Sequence, residues 1–389
     1  MIRDQEGLAA LLEDVRVWVR EVAIPAEDTV EAQDQVPEEL VEDMRRRGFF
    51  GWSIPEQYGG AGLTCEELVL AAMELSQAAT AFRARVGTNT GIGSEALVAD
   101  GTEEQKSRYL PALARGEITG CFALTEPEAG SDATALTTSA RRDGDHYVLN
   151  GTKCYITNAP IAGLFTVMAR TDPDNLTAGG ISAFLVEAGT PGLSVGPAYK
   201  KMGQAGSPVS EVYFEDCRVP AANLIGGVEG QGFVTAMKVL NKQRLHLSAL
   251  CTGPAMRMLD EALSHASQRR QFGRPVAEFQ LVQAMIADMQ TEIHAARALI
   301  LDTARKRDDG GDVKLEASMC KYFASEMCGR VADRAVQIFG GAGYVADYSC
   351  IERLYRDVRL FRLYEGTSQI HQLNIAKLTL RQASQRLAR

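Results

Sequence analysis

The sequence lacks the cysteine and histidine patterns of disulfide-rich secreted proteins and of zinc proteins. Its eight cysteines form no C-x-x-C pair, and its five histidines are dispersed and stand at no metal-ligand spacing from them. Free thiols in a reducing compartment are therefore expected, in place of disulfides or a metal site.

Long hydrophobic runs and an excess of positive charge are also absent. No run approaches the roughly 18 apolar residues that a membrane-spanning helix needs. The first seven residues carry acid early and lack the apolar core of a targeting segment. The net charge of −9 argues against nucleic acid or an anionic membrane surface as a partner, although it leaves room for a local basic cleft. We expect a cytoplasmic protein without membrane insertion.

What is present is an ordinary globular composition, 46% hydrophobic and 23% charged, over 389 residues. The residue patterns divide the chain into helices, then strands, then helices. The predicted fold class is α+β. It comprises an N-terminal helical domain over residues 1–118, a middle antiparallel β-barrel or sandwich domain over 119–228 and a C-terminal four-helix bundle over 229–389. No flexible linker separates the three, so we expect one packed unit.

Local signals place several helices in the first region. Apolar residues recur at helical spacing through residues 8–19, and Pro25 is expected to end that segment. Pro37 then opens another helix. Capping boxes that start at Thr64 and Thr102 predict two further helix starts. These motifs are structural, and no chemistry is assigned to them.

The middle and last regions differ in period. Between residues 121 and 214 the segments are short and β-rich, and Asp143-Gly144 and Asn150-Gly151 predict hairpin turns. No G-x-G-x-x-G follows a strand, so a Rossmann nucleotide site is not expected. Long helices return after residue 232, as a bundle requires. One predicted apolar stripe consists of Leu281, Met285, Met289, Ile293, Ala296 and Ile300.

The segment 362–374 (RLYEGTSQIHQLN) holds one carboxylate, Glu365, between an aromatic residue and a glycine. A carboxylate in an apolar pocket has a raised pKa and can act as a base near neutral pH. An ordinary loop glutamate before a helix is the alternative. The segment alone does not decide between them.

Five motifs, in order and at matching intervals, resemble those of the acyl-CoA dehydrogenase family of flavoproteins over nearly the whole chain. They are residues 124–132 (LTEPEAGSD), 151–158 (GTKCYITN), 269–273 (RRQFG), 337–344 (QIFGGAGY) and 364–369 (YEGTSQ). The resemblance implies the family's fold and FAD as cofactor. It also implies that FAD is shared across a dimer within a homotetramer.

The resemblance further assigns individual residues to FAD. Those of one subunit are Phe122, Leu124, Thr125, Gly130, Ser131, Tyr155, Thr157, Thr367 and Gln369. Those that would reach the FAD of the neighbouring subunit are Arg269, Gln271, Phe272, Gln280, Gln337, Gly340 and Gly341. Two positions depart from the family's frequent residues: Tyr155 stands where tryptophan is common, and Gln271 where threonine or serine is common.

The implied reaction is α,β-dehydrogenation of an acyl-CoA thioester to the trans-2-enoyl-CoA. Glu365 would remove the α-proton while the β-hydrogen leaves as hydride to flavin N5. The backbone N–H of Glu365 and a ribityl hydroxyl would bind the thioester oxygen. Some family members carry their base at the position of Gln243, where glutamine cannot serve. Electrons would pass to an electron-transfer flavoprotein. Substrate contacts are assigned to Ser131, Ser207, Arg244, Tyr364, Gly366 and Arg83.

The acyl group is left open by the sequence. Arg83 matches an arginine with which glutaryl-CoA dehydrogenases pair a distal carboxylate, whereas a solvated or ion-paired arginine is the alternative. A carrier-protein-bound acyl substrate, an oxidase, a desulfinase and a non-catalytic scaffold are the other readings. Glu365 argues against the last three, because a scaffold has no need of a base, desulfinase relatives lack it, and oxidases of this kind are usually longer.

Overall fold

The computed structural model describes residues 1–387, which begin with a helical region. Its α-helices are α1 (Gln5–Trp18), α2 (Glu27–Gln33), α3 (Glu38–Arg46), α4 (Cys65–Leu75), α5 (Thr80–Gly87), α6 (Glu95–Asp100) and α7 (Glu103–Ala114). Both predicted capping boxes are present, because Thr64 and Thr102 each accept a hydrogen bond from the backbone N–H three residues on. Pro37 stands as the N-cap of α3, as predicted.

Pro25 does not end the first helical segment, so that prediction was wrong. A π-helical turn, Val19–Ala23, and a 3₁₀ turn, Ile24–Ala26, carry the chain from α1 directly into α2. Proline is tolerated in the first turn of a helix, where its missing N–H has no partner to lose. The segment ends instead after α2, at Asp34 with φ +47°.

The middle region is one curled sheet. Its strands are β1 (Gly120–Ala123), β2 (Ser139–Asp143), β3 (His146–Thr157), β4 (Leu164–Arg170), β5 (Ile181–Glu187), β6 (Leu193–Val195) and β7 (Val209–Pro220). Their order is β1-β4-β2-β3-β7-β6, with β5 paired to β4. The predicted strands are therefore present. The sheet is mixed and not wholly antiparallel, however, because β1 runs parallel to β4 and β2 touches β4 in parallel register.

Only one of the two predicted hairpin turns is a turn. Asp143 and Gly144 join β2 to β3, as expected. Asn150 and Gly151 instead lie inside β3, where the register with β7 shifts between Leu149 and Gly151. A glycine within a strand often marks such a bulge. The same dipeptide signal thus produced a bend in a long strand and not a reversal of the chain.

The last region is the predicted bundle. Its helices are α8 (Gly232–Gln268), α9 (Gln280–Asp308), α10 (Lys314–Phe339), α11 (Ile351–Val358) and α12 (Ser368–Leu387), with a short hairpin of β8 (Arg270–Gln271) and β9 (Arg274–Pro275) between α8 and α9. The predicted stripe on α9 is buried from Met289 to Ile300, whereas Leu281 is 81% exposed. The first turns of α9 therefore extend beyond the bundle core.

The three regions share cores. Val69 and Met73 of α4 pack into the bundle core, and α8 residues such as Val239 join a core with α6, α7 and the sheet. Within residues 1–387, no helix is both long and apolar enough to cross a membrane. The long helix α8 thus contacts both other regions, and a cavity lies beside its first half.

Candidate active site

A cavity of about 400 Å³ opens where α5, the segment after β1, the end of β3, α8 and the segment before α12 meet. It brings together most of the residues that the sequence assigned to FAD or substrate. From that set it is lined by Arg83, Phe122, Leu124, Thr125, Gly130, Ser131, Tyr155, Thr157, Ser207, Arg244, Tyr364, Glu365 and Gly366. Residues separated by up to 283 positions in the chain therefore share one wall.

Glu365 stands on the cavity wall in an unusual backbone conformation. Its φ is +52°, in the left-handed region that costs a non-glycine residue about 1 kcal/mol, and Gly366 follows with φ +93°. Burial raises the pKa of the Glu365 carboxyl, while the nearby cations Arg83, Lys321 and Arg244 lower it, with burial prevailing. Its Oε2 has no hydrogen-bond partner within the described residues. The carboxylate is therefore available to take a proton from a bound molecule.

A buried ion pair holds the loop after β1. Lys153 of β3 donates to Glu126 Oε1 at 2.8 Å and to the Leu124 carbonyl at 3.0 Å. The N–H groups of Thr137 and Thr138 donate to the same carboxylate. Sequence reasoning assigned no role to Glu126 or Lys153. The sequence did contain one signal, a lysine within a half-apolar strand. Because a buried charge needs a partner, such a lysine indicates a buried acid nearby.

Tyr155 and Thr157 reach the cavity through a second irregularity in β3. The register with β7 shifts between Lys153 and Ile156, and Tyr155 has φ +59°. The Tyr155 side chain is 70% exposed, with its ring centroid 5.6 Å from that of Tyr199. A bulge re-aims a side chain in this way. It supplies the cavity mouth with a flat aromatic face beside a threonine hydroxyl.

The residues present fit a flavin. A tricyclic ring with a polar edge needs an apolar wall, hydroxyl or N–H donors and space. The cavity offers Tyr155 and Phe122 as aromatic groups and Thr125, Ser131 and Thr157 as hydroxyl donors. These lining groups are of the kinds that could hold a flavin ring system.

Arg83 belongs to the cavity, whereas Arg85 does not. Arg83 Nη2 donates to the Tyr364 hydroxyl at 2.5 Å, and its guanidinium lies 5.8 Å from the centre of that ring. Arg83 Nε is buried without a partner in the described part of the chain. Arg85 instead donates to Thr119 at 2.7 Å. The sequence analysis left open that Arg83 is a solvated surface charge. That possibility does not fit a side chain whose Nε is buried and which lines the cavity.

Three further polar residues, Arg244, His246 and Ser207, line the cavity. Arg244 donates to Asn241 Oδ1 at 2.8 Å, and burial lowers the pKa of its guanidinium although Glu365 opposes this. Burial, with the charges of Arg83 and Lys242, lowers the pKa of His246 to about 3, so this ring is neutral. Ser207 is buried in the loop before β7. Sequence reasoning did not include His246.

Nine of the assigned residues do not line the cavity of the single chain. Thr367 and Gln369 stand beside Glu365 but outside the lining. The other seven are exposed residues around the β8–β9 hairpin, the start of α9 and the end of α10: Arg269, Gln271, Phe272, Gln280, Gln337, Gly340 and Gly341. Phe272 is 93% exposed with φ +51°. These are the residues for which the sequence resemblance implied contact with a second subunit.

Two buried residues that the sequence analysis passed over contact the Glu365 segment. Lys321 of α10 and His371 of α12 donate to the backbone carbonyls of Gly366 and Glu365. The only sequence signal was a lysine on the apolar side of a helix. Its partner is a backbone atom 45 residues away.

The fold and the cavity define the class as a flavin-dependent oxidoreductase. More specifically, the chain belongs to the acyl-CoA dehydrogenase family. The model of that family's N-terminal domain matches residues 5–117, the middle domain 121–217 and the C-terminal domain 230–380. This confirms the predicted family, fold class and FAD dependence.

Known proteins similar to the chain include dehydrogenases and a subunit of a reductase complex. An acyl-CoA dehydrogenase of Bacillus subtilis is 42% identical over 366 residues, 94% of this chain and 96% of that protein. Subunit CarC of the caffeyl-CoA reductase–Etf complex of Acetobacterium woodii is 40% identical over 91% of this chain and 93% of its own. A glutaryl-CoA dehydrogenase in complex with glutaryl-CoA superposes with a TM-score of 0.92 at 33% identity, covering 98% of this chain and 96% of that one.

Proposed function

We propose that the protein oxidises the α,β carbon–carbon bond of an acyl-CoA thioester to the trans-2-enoyl-CoA, with Glu365 as the base. The observation that carries this is the half-buried Glu365, whose carboxylate lines the cavity with a buried, unpartnered Oε2 and a raised pKa. A carboxylate of raised basicity is what removal of a weakly acidic α-proton requires. Among the described residues, the other acid that lines the cavity is Asp132, and its side chain is exposed.

The chain's own groups do the following work. Glu365 accepts the α-proton on a carboxylate oxygen, and the surrounding protein excludes water that would otherwise compete. Arg83, Lys321 and Arg244 keep the carboxylate ionised before the reaction, since each opposes the rise in its pKa. The backbone N–H of Glu365 is proposed to donate to the thioester oxygen as negative charge develops there.

FAD, when bound, accepts the β-hydrogen as a hydride. Thr125, Ser131, Tyr155 and Thr157 are proposed to hold its ring system. The exposed set around Phe272 is proposed to hold the nucleotide end of the FAD of a second copy. This division makes the working unit an assembly of at least two chains, and we propose a homotetramer.

An electron-transfer flavoprotein is the proposed acceptor of the electrons. The support is a relative of 40% identity that is itself a subunit of an Etf complex. The acceptor and the direction of net flow are properties of the assembled system, and the cavity residues serve either direction, since proton and hydride transfers are reversible.

A second candidate narrows the substrate to acyl groups with a distal acid. Arg83 is half-buried on the cavity wall with an unpartnered Nε, and Tyr364 beside it offers a hydroxyl. A buried guanidinium facing an apolar tail would remain desolvated without compensation, whereas a carboxylate would pair with it. The likeness to a glutaryl-CoA dehydrogenase supports this candidate.

An anaerobic screen of acyl-CoA thioesters tests the main proposal. Butyryl-, isobutyryl- and glutaryl-CoA are each added to the FAD-loaded protein, and loss of flavin absorbance is followed. We expect bleaching with at least one thioester. Glu365→Gln should retain FAD but lose at least about 1,000-fold in the rate of bleaching, because glutamine cannot accept the proton. Normal bleaching by this variant would refute the assignment of the base.

The acidic-tail candidate has its own measurement. Arg83→Met should lower kcat/KM for glutaryl-CoA by about 100-fold or more, in keeping with 2–5 kcal/mol for a buried charge pair. Butyryl-CoA should lose far less. An unchanged ratio between the two substrates would remove this candidate while leaving the main proposal intact.

A further inference from the structure

We propose that Lys321 and His371 are positioning residues that hold the Glu365 loop in its working conformation by binding two consecutive backbone carbonyls. Lys321 Nζ donates to the Gly366 carbonyl at 2.5 Å. His371 Nε2 lies 3.2 Å from the Glu365 carbonyl. Both side chains are fully buried. This inference rests on the proposed role of Glu365.

The loop needs such support because its backbone is strained. Glu365 and Gly366 both have positive φ, at +52° and +93°. A side chain added at Gly366 would place its Cβ 3.0 Å from His371 Nε2, so the loop and the imidazole are in close contact. Strained residues persist only where their surroundings determine them. The two buried donors, Lys321 and His371, hold the loop in this conformation by binding successive carbonyls. They also satisfy two carbonyl acceptors that would be costly to leave unpaired.

The two donors also fix where the neighbouring N–H groups point. In a trans peptide the C=O and the next N–H lie on opposite sides, and no peptide bond in the described residues is cis. With the Glu365 carbonyl turned to His371, the N–H of Gly366 must point away from α12. With the Gly366 carbonyl turned to α10, the N–H of Thr367 points away from that helix. The clamp thus sets the orientation of the backbone that flanks the base.

The two donors differ in charge. Burial, with Lys321 and Arg244 nearby, lowers the pKa of His371 to about 3, so the ring is neutral and must carry its proton on Nε2 to donate. Burial lowers the pKa of Lys321, and the positive charge of its ammonium group opposes the burial that raises the pKa of Glu365. The charged and titratable groups facing Glu365 in the described residues are Arg83 of α5, Arg244 and Cys251 of α8, Lys321 of α10, His371 of α12 and the adjacent Tyr364. Lys321 therefore positions the Glu365 loop and also lowers the pKa of the Glu365 carboxyl, whereas His371 only positions the loop.

Paired substitutions separate these effects. Methionine removes the donor, and glutamine of similar size retains one. We expect His371→Met to lower kcat by about 100-fold, the loss typical of a catalytic group displaced by 1 Å. In the His371→Met variant, KM and FAD content should change by less than about twofold. His371→Gln should recover most of kcat. Neither change should move the acidic limb of the pH profile of kcat.

Lys321 should behave differently. Lys321→Met should lower kcat and also shift the acidic limb to higher pH, because loss of the cation raises the pKa of Glu365. Lys321→Gln should recover part of kcat but retain the shifted limb. Lys314→Met, at an exposed residue at the start of α10, is the matched control and should change neither quantity.

A measurement that does not depend on turnover completes the test. Hydrogen–deuterium exchange of residues 363–371 in the FAD-loaded protein should accelerate at least about tenfold in both methionine variants, since a loosened loop opens more often. It should return towards the wild-type rate in both glutamine variants. Methionine variants with wild-type kcat, pH profile and exchange would overturn the inference, provided that Glu365→Gln is inactive. Normal bleaching by Glu365→Gln would instead overturn the proposed function itself.

Discussion

At the scale of single residues, the cavity is held in shape by buried charges that lie outside its lining. Glu126 is one of them, and its carboxylate accepts hydrogen bonds from Lys153, from two backbone N–H groups and from the Thr137 hydroxyl. Burial alone would raise the pKa of Glu126, but Lys153 and these donors lower it to about 2. The carboxylate is therefore ionised at working pH. It ties the cavity loop after β1 to the long strand β3.

Glu126→Gln should strongly destabilise the protein. Removing one partner leaves Lys153 buried without a counter-charge, at a cost of about 3–5 kcal/mol. The loop that carries Thr125 and Ser131 should loosen, so FAD content should fall as well. Thermal unfolding and the ratio of flavin to protein absorbance measure the two effects.

Two controls accompany this change. Glu126→Gln combined with Lys153→Met removes both charges and should recover part of the lost stability. Glu117→Gln breaks an exposed pair with Arg115 and should have little effect. A melting temperature of Glu126→Gln equal to that of the wild type would contradict the structural role of this pair.

Also at the residue scale, the candidate site was predictable where a side chain itself does the chemistry. Glu365, the hydroxyls of Thr125 and Ser131 and the aromatic face of Tyr155 stand in short motifs whose composition indicates their use. Lys321 and His371 were not predictable, because their partners are backbone carbonyls whose direction depends on the φ values of the Glu365 loop. Sequence patterns carry little information about such angles.

At the scale of elements, local signals predicted the helices and strands well and failed where the tertiary context decides. The capping boxes at Thr64 and Thr102 hold because both partners lie within three residues. Pro25 failed as a stop signal because a helix can restart at a proline. Asn150-Gly151 failed as a turn because β7 lies alongside and pairs with β3 on both sides of the bulge.

A second link between elements joins the loop before β7 to α11. Asp357 of α11 accepts the backbone N–H of Gln204, and the Gln204 side chain donates to the Asp357 carbonyl at 3.0 Å. Gln204 itself lines the cavity with φ +58°. Burial raises the pKa of Asp357 from 3.8 to about 6, although the Gln204 N–H opposes this. The carboxyl is therefore a protonated group in the folded state up to that pH.

Asp357→Asn should remove a pH-dependent part of the stability. Between about pH 4 and 6 the folded wild type holds a proton that the unfolded chain has released, so its stability falls as pH rises through 6. A shift of about 2 pKa units corresponds to about 3 kcal/mol. Asparagine retains the acceptor for Gln204 but cannot titrate. The difference in melting temperature, variant minus wild type, should therefore be more positive at pH 7.5 than at pH 4.5.

Asp347→Asn, at an exposed position after α10, is the control for the loss of one negative charge from the protein. A difference for Asp357→Asn that is the same at both pH values would contradict the raised pKa of this carboxyl.

At the scale of the whole molecule, ion pairs join the first and last regions. Glu27 of α2 is buried and accepts hydrogen bonds from Arg257 of α8 at 2.5 Å and from Arg353 of α11 at 3.1 Å. It also accepts the N–H of Ala79 at 2.7 Å. The two halves of the cavity wall, carried by α5 and by the bundle, are therefore fixed relative to each other. This supports treating the cavity as one rigid site.

Also at the scale of the whole molecule, the single chain exposes several large apolar side chains. Phe272, Leu281, Tyr344 and Tyr348 are each at least 75% exposed and lie near the ends of the bundle helices. Because contiguous exposed apolar patches are typical of protein interfaces, we predict that a second copy of the chain binds here. The motifs 269–273 and 337–344 contribute to this surface and not to the cavity. Their role was stated from the sequence resemblance alone, and it remains a prediction.

Complementation between two inactive chains tests this arrangement. One chain carries Glu365→Gln, and the other carries Arg269→Ala with Phe272→Ala. If each site combines Glu365 of one copy with Arg269 and Phe272 of another, every mixed dimer contains one intact site and one doubly altered site. Random mixing of equal amounts should then give about a quarter of the wild-type sites. Each chain alone should be inactive, the first with bound FAD and the second with little.

The measurement uses two affinity tags, one on each chain, so that only mixed assemblies are kept. Flavin bleaching by the best acyl-CoA of the screen then reports intact sites. After this selection they should be about half of all sites in a dimer, and about two-sevenths in a tetramer built from two randomly formed dimers. Mixed assemblies that bind FAD at about half of their sites and show no bleaching would mean that Arg269 and Phe272 serve their own chain. Normal bleaching by the chain with Arg269→Ala and Phe272→Ala alone would mean that these residues serve no FAD site. The observed exposure of Phe272 would then need another explanation than a neighbour's cofactor.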